Sequence, residues 1–254
     1  MRFAPTLPLD VAELDRLSAF ADWLEARRTG AGGGSRPAAD LSASLWQDLW
    51  RVAPAPGRAR QGDGTAAYLD GHWRDVVEVL AASLRHAQAL TLHLGDGPHV
   101  VPLTLYPQQR LVRCPLDTAG LEALGLGGLR VLHVEPALIR APDPAAMTCA
   151  GLPPCRPLEP LIWLLAMRGP RRTVLPELAG SLAFRRVSGL PLQPPGLRGA
   201  TALALQRLGQ EAASARTVAS WPGMDAQQAA RLVNALYLLG ALIVSRTHPA
   251  AHAG

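Results

Sequence analysis

Apolar positions along this chain change period several times, and each change marks an element. Residues 10–28 place Val11, Leu14, Leu17, Ala21 and Leu24 at steps of three and four, with Asp10 as N-cap. This predicts an amphipathic helix. A glycine-rich stretch, Gly30 to Ser35, then reads as a flexible linker. A second helix is predicted over 39–50, with Leu41, Leu45, Trp46 and Leu49 on one face. Residues 52–66 are rich in Pro, Gly and Ala and read as loop. A third helix follows over 73–86, carrying Val76, Val77, Val79, Leu80 and Leu84.

The period then drops toward two. Residues 89–94 and 99–105 are β-prone and are joined by Gly95-Asp96-Gly97-Pro98, a hairpin signal. A turn at 106–109 leads to a short strand over 110–114. Asp117 caps a short helix through Leu124, Gly125 to Gly128 stop it, and 129–134 reads as another strand. Residues 38–140 are therefore expected to form a small α+β domain with an antiparallel meander. Six prolines within 141–160 suggest a connector, with its boundaries at 141–157.

Farther on, 158–167 is apolar and helical, and 171–197 reads as irregular or weakly paired. Helices are predicted over 201–208, from Ser214 to Trp221, and over 226–239 after the N-cap Asp225. Pro222-Gly223 makes the turn between the last two. Gly240 ends the long helix, and Leu242-Ile243-Val244 is a strand. A helix, a short helix, a turn, a longer helix and a strand is the order of a winged helix-turn-helix. The stretch from Ser214 through Trp221-Pro222-Gly223-Met224-Asp225 to Leu236-Tyr237-Leu238-Leu239-Gly240-Ala241-Leu242-Ile243-Val244 resembles the bacterial winged helix-turn-helix superfamily over residues 200–246. The resemblance implies a winged-helix-like domain over 158–247, followed by a short tail over 248–254. Domains of this kind bind DNA in some proteins and other proteins in others, so the resemblance implies a fold more than a function.

On a DNA-binding reading the third helix of that domain enters the major groove. Its expected inward stripe is Ala229, Leu232, Val233, Leu236 and Leu239. Its expected outward stripe is Gln227, Arg231, Asn234 and Leu238, with Gln228 beside it. Arg can pair with guanine, and Asn or Gln with adenine, through two hydrogen bonds each. Arg216, Arg246 and the Arg171-Arg172 and Arg185-Arg186 pairs could contact phosphates. Against this, the helix carries one positive charge, and Leu238 on its outer stripe suits a protein contact. A protein-binding module that uses Leu238 and its neighbours is thus the first expectation, and a DNA-reading regulator is the second. A homodimer would suit a palindromic DNA site, but no coiled-coil heptads are present.

Charge is uneven along the chain. Residues 1–155 hold fourteen arginines against sixteen acidic residues, and 156–254 hold eleven against four. The basic half is compatible with a polyanion or an acidic partner. All 25 basic residues are arginine, with no lysine anywhere. A P-loop, a protein-kinase lysine and Schiff-base chemistry are therefore excluded on this chain's own residues. The abundance of Ala, Gly and Pro traces the arginine bias to a GC-rich genome.

Catalytic motifs are missing. The seven histidines are scattered, with no His-Glu-x-x-His and no Gly-x-Ser-x-Gly. Gly125 to Gly128 follows a helix, where a dinucleotide fingerprint requires a preceding strand. Cys114, Cys149 and Cys155 argue against a disulfide framework, and no histidine lies near them in sequence to complete a zinc site. No cofactor or metal is implied. An enzyme acting through Cys114 or a histidine is the third reading. The N-terminus lacks the apolar core of a signal peptide. The apolar stretch 232–244 is shorter than the roughly 20 residues that a bilayer requires. These features predict a cytoplasmic protein.

Overall fold

The computed structural model describes residues 75–96, 99–137, 153–188 and 196–251. The helices expected over 10–28 and 39–50, the linker between them, most of the proline-rich connector and the last residues of the tail lie outside these. The described residues form an α+β arrangement. Its elements are α1 (Val76–His86), β1 (Leu90–Asp96), β2 (His99–Tyr106), β3 (Leu111–Arg113), α2 (Thr118–Ala123), β4 (Arg130–Pro136) and β5 (Cys155–Pro157). After these come α3 (Leu158–Arg168), β6 (Ala183–Arg186), α4 (Gly199–Gln210), α5 (Ala215–Ala219), α6 (Ala226–Leu238) and β7 (Leu242–Ser245).

Strands β1 to β5 form one antiparallel sheet in the order β4-β1-β2-β3-β5. The expected meander is its centre. The expected connector contributes its last three residues to the edge strand β5, which pairs Arg113 with Cys155. Side chains alternate across the pleat. Leu90, Leu92 and Leu94 of β1 align with Leu105, Leu103 and Val101 of β2, and all six are buried on one face. A bulge between His93 and Leu94 shifts the pairing with β4, so that His93 stands opposite His133 and Leu94 opposite Val131.

Helices α1 and α3 belong to the same hydrophobic core as these strands. Asp75 caps α1 by accepting from the Val77 N–H at 2.8 Å, and Ala87 closes the helix in the left-handed conformation. Seven of the eleven residues of α3 are buried, from Leu158 to Ala166. A helix apolar around its circumference belongs in an interior, and α3 packs against both α1 and α6. The parts before and after the connector therefore share one continuous core.

The C-terminal elements follow the expected order of helix, short helix, turn, longer helix and strand. Residues 171–197, expected to be irregular or weakly paired, supply a short 3-10 turn at Pro176–Leu178 and the strand β6. β6 pairs antiparallel with β7, and on its other side Phe184 exchanges two backbone hydrogen bonds with Ala213, at 2.8 and 3.0 Å. The partner of β7 thus comes from before α4 rather than from a hairpin after α6. Among the described residues no helix is long and apolar enough to cross a membrane.

Candidate functional site

Helix α6 is the element on which the sequence placed five of its candidate residues, Gln227, Gln228, Arg231, Asn234 and Leu238. It begins at a capping box: the Gln228 N–H donates to Asp225 Oδ1 at 2.7 Å, and the Asp225 N–H donates to Gln228 Oε1 at 3.1 Å. Gln228 is exposed, and its amide oxygen is engaged in that cap. Gln227, with its amide oxygen turned toward Arg231, accepts from both guanidinium Nη atoms at 2.9 and 3.1 Å.

The later half of the expected outward stripe is interior, while Gln227 and Arg231 at its start are part-buried. Asn234 is 1% exposed. Its Oδ1 accepts from the Leu175 N–H at 2.9 Å, and its Nδ2 donates to the Thr173 carbonyl at 2.9 Å. Arg231 donates to the Gly169 carbonyl at 2.8 Å and to the Arg171 carbonyl at 3.1 Å. Partial burial lowers its pKa, and Arg172 nearby adds to the effect. Leu238 is buried in the core.

The physical reason is α3. It lies against α6 and delivers the segment 169–175 to the face that a free winged helix would present to solvent. Gln227, Arg231 and Asn234 therefore do not converge on an external ligand. Arg231 and Asn234 fasten a loop, and Leu238 belongs to the buried core. This corrects the expected outward orientation of Asn234 and Leu238. Arg216 on α5 and Arg246 after β7 are exposed and remain at the surface.

Trp221 is buried under the turn, and the Arg207 guanidinium stands 4.6 Å from its ring centroid. Arg171 crosses from the loop to α1. It is almost buried and pairs with Asp75 at 2.9 Å and with Glu78, while Nη2 donates to the Val174 carbonyl at 2.6 Å. Burial raises the Glu78 pKa, and the pull of Arg171 offsets this only in part.

The surface feature that the sequence did not single out is β7. The Val187 N–H donates to the Ala241 carbonyl, which fixes Arg185–Ile243 and Ala183–Ser245 as the hydrogen-bonded pairs of β6 and β7. Leu242 and Val244 then turn their N–H and C=O groups to the other side, an open edge among the described residues. Ile243 is 51% exposed and Val244 37%; with Leu203 on α4 they are the large apolar side chains left most open among the described residues. A run of three β-prone apolar residues reads as a buried strand. Only the topology shows that it sits on an edge.

The second face of the five-stranded sheet carries polar groups. His93 Nε2 lies 3.2 Å from Glu135 Oε1, His133 Nε2 lies 3.9 Å from Glu135 Oε2, and both histidines are buried. Thr91 and Thr104 are hydrogen-bonded across the same face at 3.2 Å. Alternation within β1 and β4 put both histidines on one face, but their juxtaposition required the strand order. Among the described residues no group of three or more His, Cys, Asp or Glu side chains is arranged to hold a metal ion.

Cys114, the candidate nucleophile, is buried, and desolvation pushes its pKa up to about 11. The thiolate is the nucleophile, and reactive cysteines have lowered pKa values. Native Cys114 should therefore react with a thiol reagent at pH 8 at least 100-fold more slowly than after denaturation, as timed by mass spectrometry. The unfolded thiol ionises near pH 9, and the folded one near 11. Its contribution to stability is thus fully present below pH 9 and is lost between 9 and 11.

Compared with known protein families, with characterised proteins and with solved structures, the chain matches none.

Proposed function

We propose that this chain is a non-enzymatic regulatory or adaptor protein, and that it binds a protein partner through its winged-helix-like C-terminal part, at the edge of β7. The observation that carries this reading is the open edge itself. Main-chain donors and acceptors at Leu242 and Val244 are aligned for strand addition, and Ile243 and Val244 are exposed beside them. An exposed apolar edge is a template for pairing with another chain. Burial of Asn234 and Leu238 supports the same choice over base reading, because the helix meant for the major groove is covered by α3. The buried, neutral Cys114 supports a non-enzymatic reading.

Two measurements on the full chain test this. A photo-crosslinking amino acid placed at position 243 should yield a discrete protein adduct in cells, whereas one placed on the exposed Leu203 should yield much less. A titration of random duplex DNA over a salt series should show no binding with a steep salt slope. Micromolar DNA binding that falls steeply with salt, with no protein adduct from position 243, would overturn the reading. Exposed Arg216 and Arg246 would then be the first phosphate contacts to replace.

A further inference from the structure

We infer that the occupant of the β7 edge is β7 of a second copy of this chain, paired antiparallel about a twofold axis at Ile243. This rests on the reading that the edge is a docking surface. The register follows from the backbone. Leu242 and Val244 are the residues whose N–H and C=O groups face outward. The antiparallel register that uses both residues in both copies places Leu242 of one copy against Val244 of the other. That arrangement forms four inter-chain backbone hydrogen bonds, and it sets Ile243 opposite its own copy in a non-hydrogen-bonded pair. Shifting the register by two residues in either direction leaves two fewer.

Side chains agree with that register. Every facing pair within the strand is apolar: isoleucine on isoleucine on one face, leucine on valine on the other. β7 contains no charged residue, so no like charges stand opposite each other. Arg185 lies across β6 from Ile243, which puts the two copies of Arg185 three strand spacings apart, about 14 Å. That exceeds the screening length of about 8 Å at physiological salt.

The association closes at two. The other side of β6 is already bonded to Ala213, so β7 is the side on which this small sheet accepts a strand. An isologous contact of this kind uses that edge up and cannot grow into a fibre. Only a short strand is shared, so the interface falls below the roughly 1,200 Å² of stable complexes. The dimer is therefore transient and depends on concentration.

Sedimentation velocity of the full chain between about 1 and about 500 µM reads it directly. The expected result is a shift from the 26.9 kDa monomer toward twice that mass as concentration rises. Ile243→Lys should weaken the dimer at least tenfold, because it sets two ammonium groups face to face. Leu203→Lys should not. A register-specific readout does not depend on the lysine variant. Cα atoms of a non-hydrogen-bonded pair lie about 4.5 Å apart, within disulfide reach. Ile243→Cys should thus crosslink under a mild oxidant at least ten times faster than Val244→Cys, with the parent chain as background.

A wild-type chain that stays monomeric throughout would overturn the inference, as would an Ile243→Lys dimer of unchanged strength or equal crosslinking at the two positions. If the chain is monomeric but the position-243 photo-crosslink still reaches another protein, the second-copy assignment falls and the docking surface stands. If both fail, the docking surface falls with it.

Discussion

Replacing Asn234 with alanine is expected to cost about 2–4 kcal/mol of stability and to lower the melting temperature by roughly 5–12 °C. The side chain is nearly inaccessible and makes two hydrogen bonds to the loop between α3 and β6. Its removal leaves the Leu175 N–H unpaired beside a buried leucine, and each buried unpaired group costs about 1–3 kcal/mol. The Thr173 carbonyl still accepts from Arg171 Nε at 2.8 Å, which keeps the loss below the sum of two full penalties. Arg231→Ala should cost less, about 1–2 kcal/mol, because Arg231 is half-buried and both of its carbonyl acceptors lie on the same loop. Calorimetry of the two variants checks the order. A residue whose purpose was to read bases would lose ligand affinity on substitution and leave the melting temperature nearly unchanged.

The second large effect is expected at Arg171. Its guanidinium is nearly buried between Asp75 and Glu78 and also serves loop carbonyls. Breaking a buried ion pair by removing one partner typically costs about 3–5 kcal/mol, because the remaining charge is left uncompensated. Arg171→Met should fall in that range at pH 7. The pH dependence has a definite sign. Glu78 already titrates above its ordinary value because it is buried. Without the guanidinium its folded pKa rises further, so the variant loses stability as pH rises through that value. The gap between variant and parent should therefore be widest near neutrality and should narrow toward pH 4. Adding Glu78→Gln to Arg171→Met should recover part of the loss at pH 7 and little at pH 4. Denaturant melts at the two pH values decide it.

Much of the architecture was legible in the sequence because local rules governed it. Alternation in 89–105 and the turn residues at 95–98 gave the hairpin, and Asp117, Ser214 and Asp225 occupy the expected caps of three helices. The α+β class follows from those elements. Features that depend on contacts distant in sequence were not legible. Cys155–Pro157 joins β3 from across the proline-rich segment, and proline content argues for a connector in any local window. The faces of α6 were misread for a related reason. Period alone shows which residues share a stripe, and a second helix on the far side buries Asn234 and Leu238 of the other stripe as well. The apolar character of α3 was visible, but nothing in the sequence says that it would lie against α6. The β7 edge was hidden in turn, because its pairing partner β6 comes from a stretch with weak strand signals.

Amide hydrogen exchange at single-residue resolution tests the central claim, an open β7 edge that binds protein, most directly. In dilute solution the Leu242 and Val244 amides should exchange much faster than those of Ile243 and Ser245, which donate to β6. Raising the protein concentration should slow Leu242 and Val244 and leave α6 unchanged. Slow exchange at Leu242 and Val244 in the dilute monomer would contradict the account, and so would protection that appears along α6 on addition of duplex DNA.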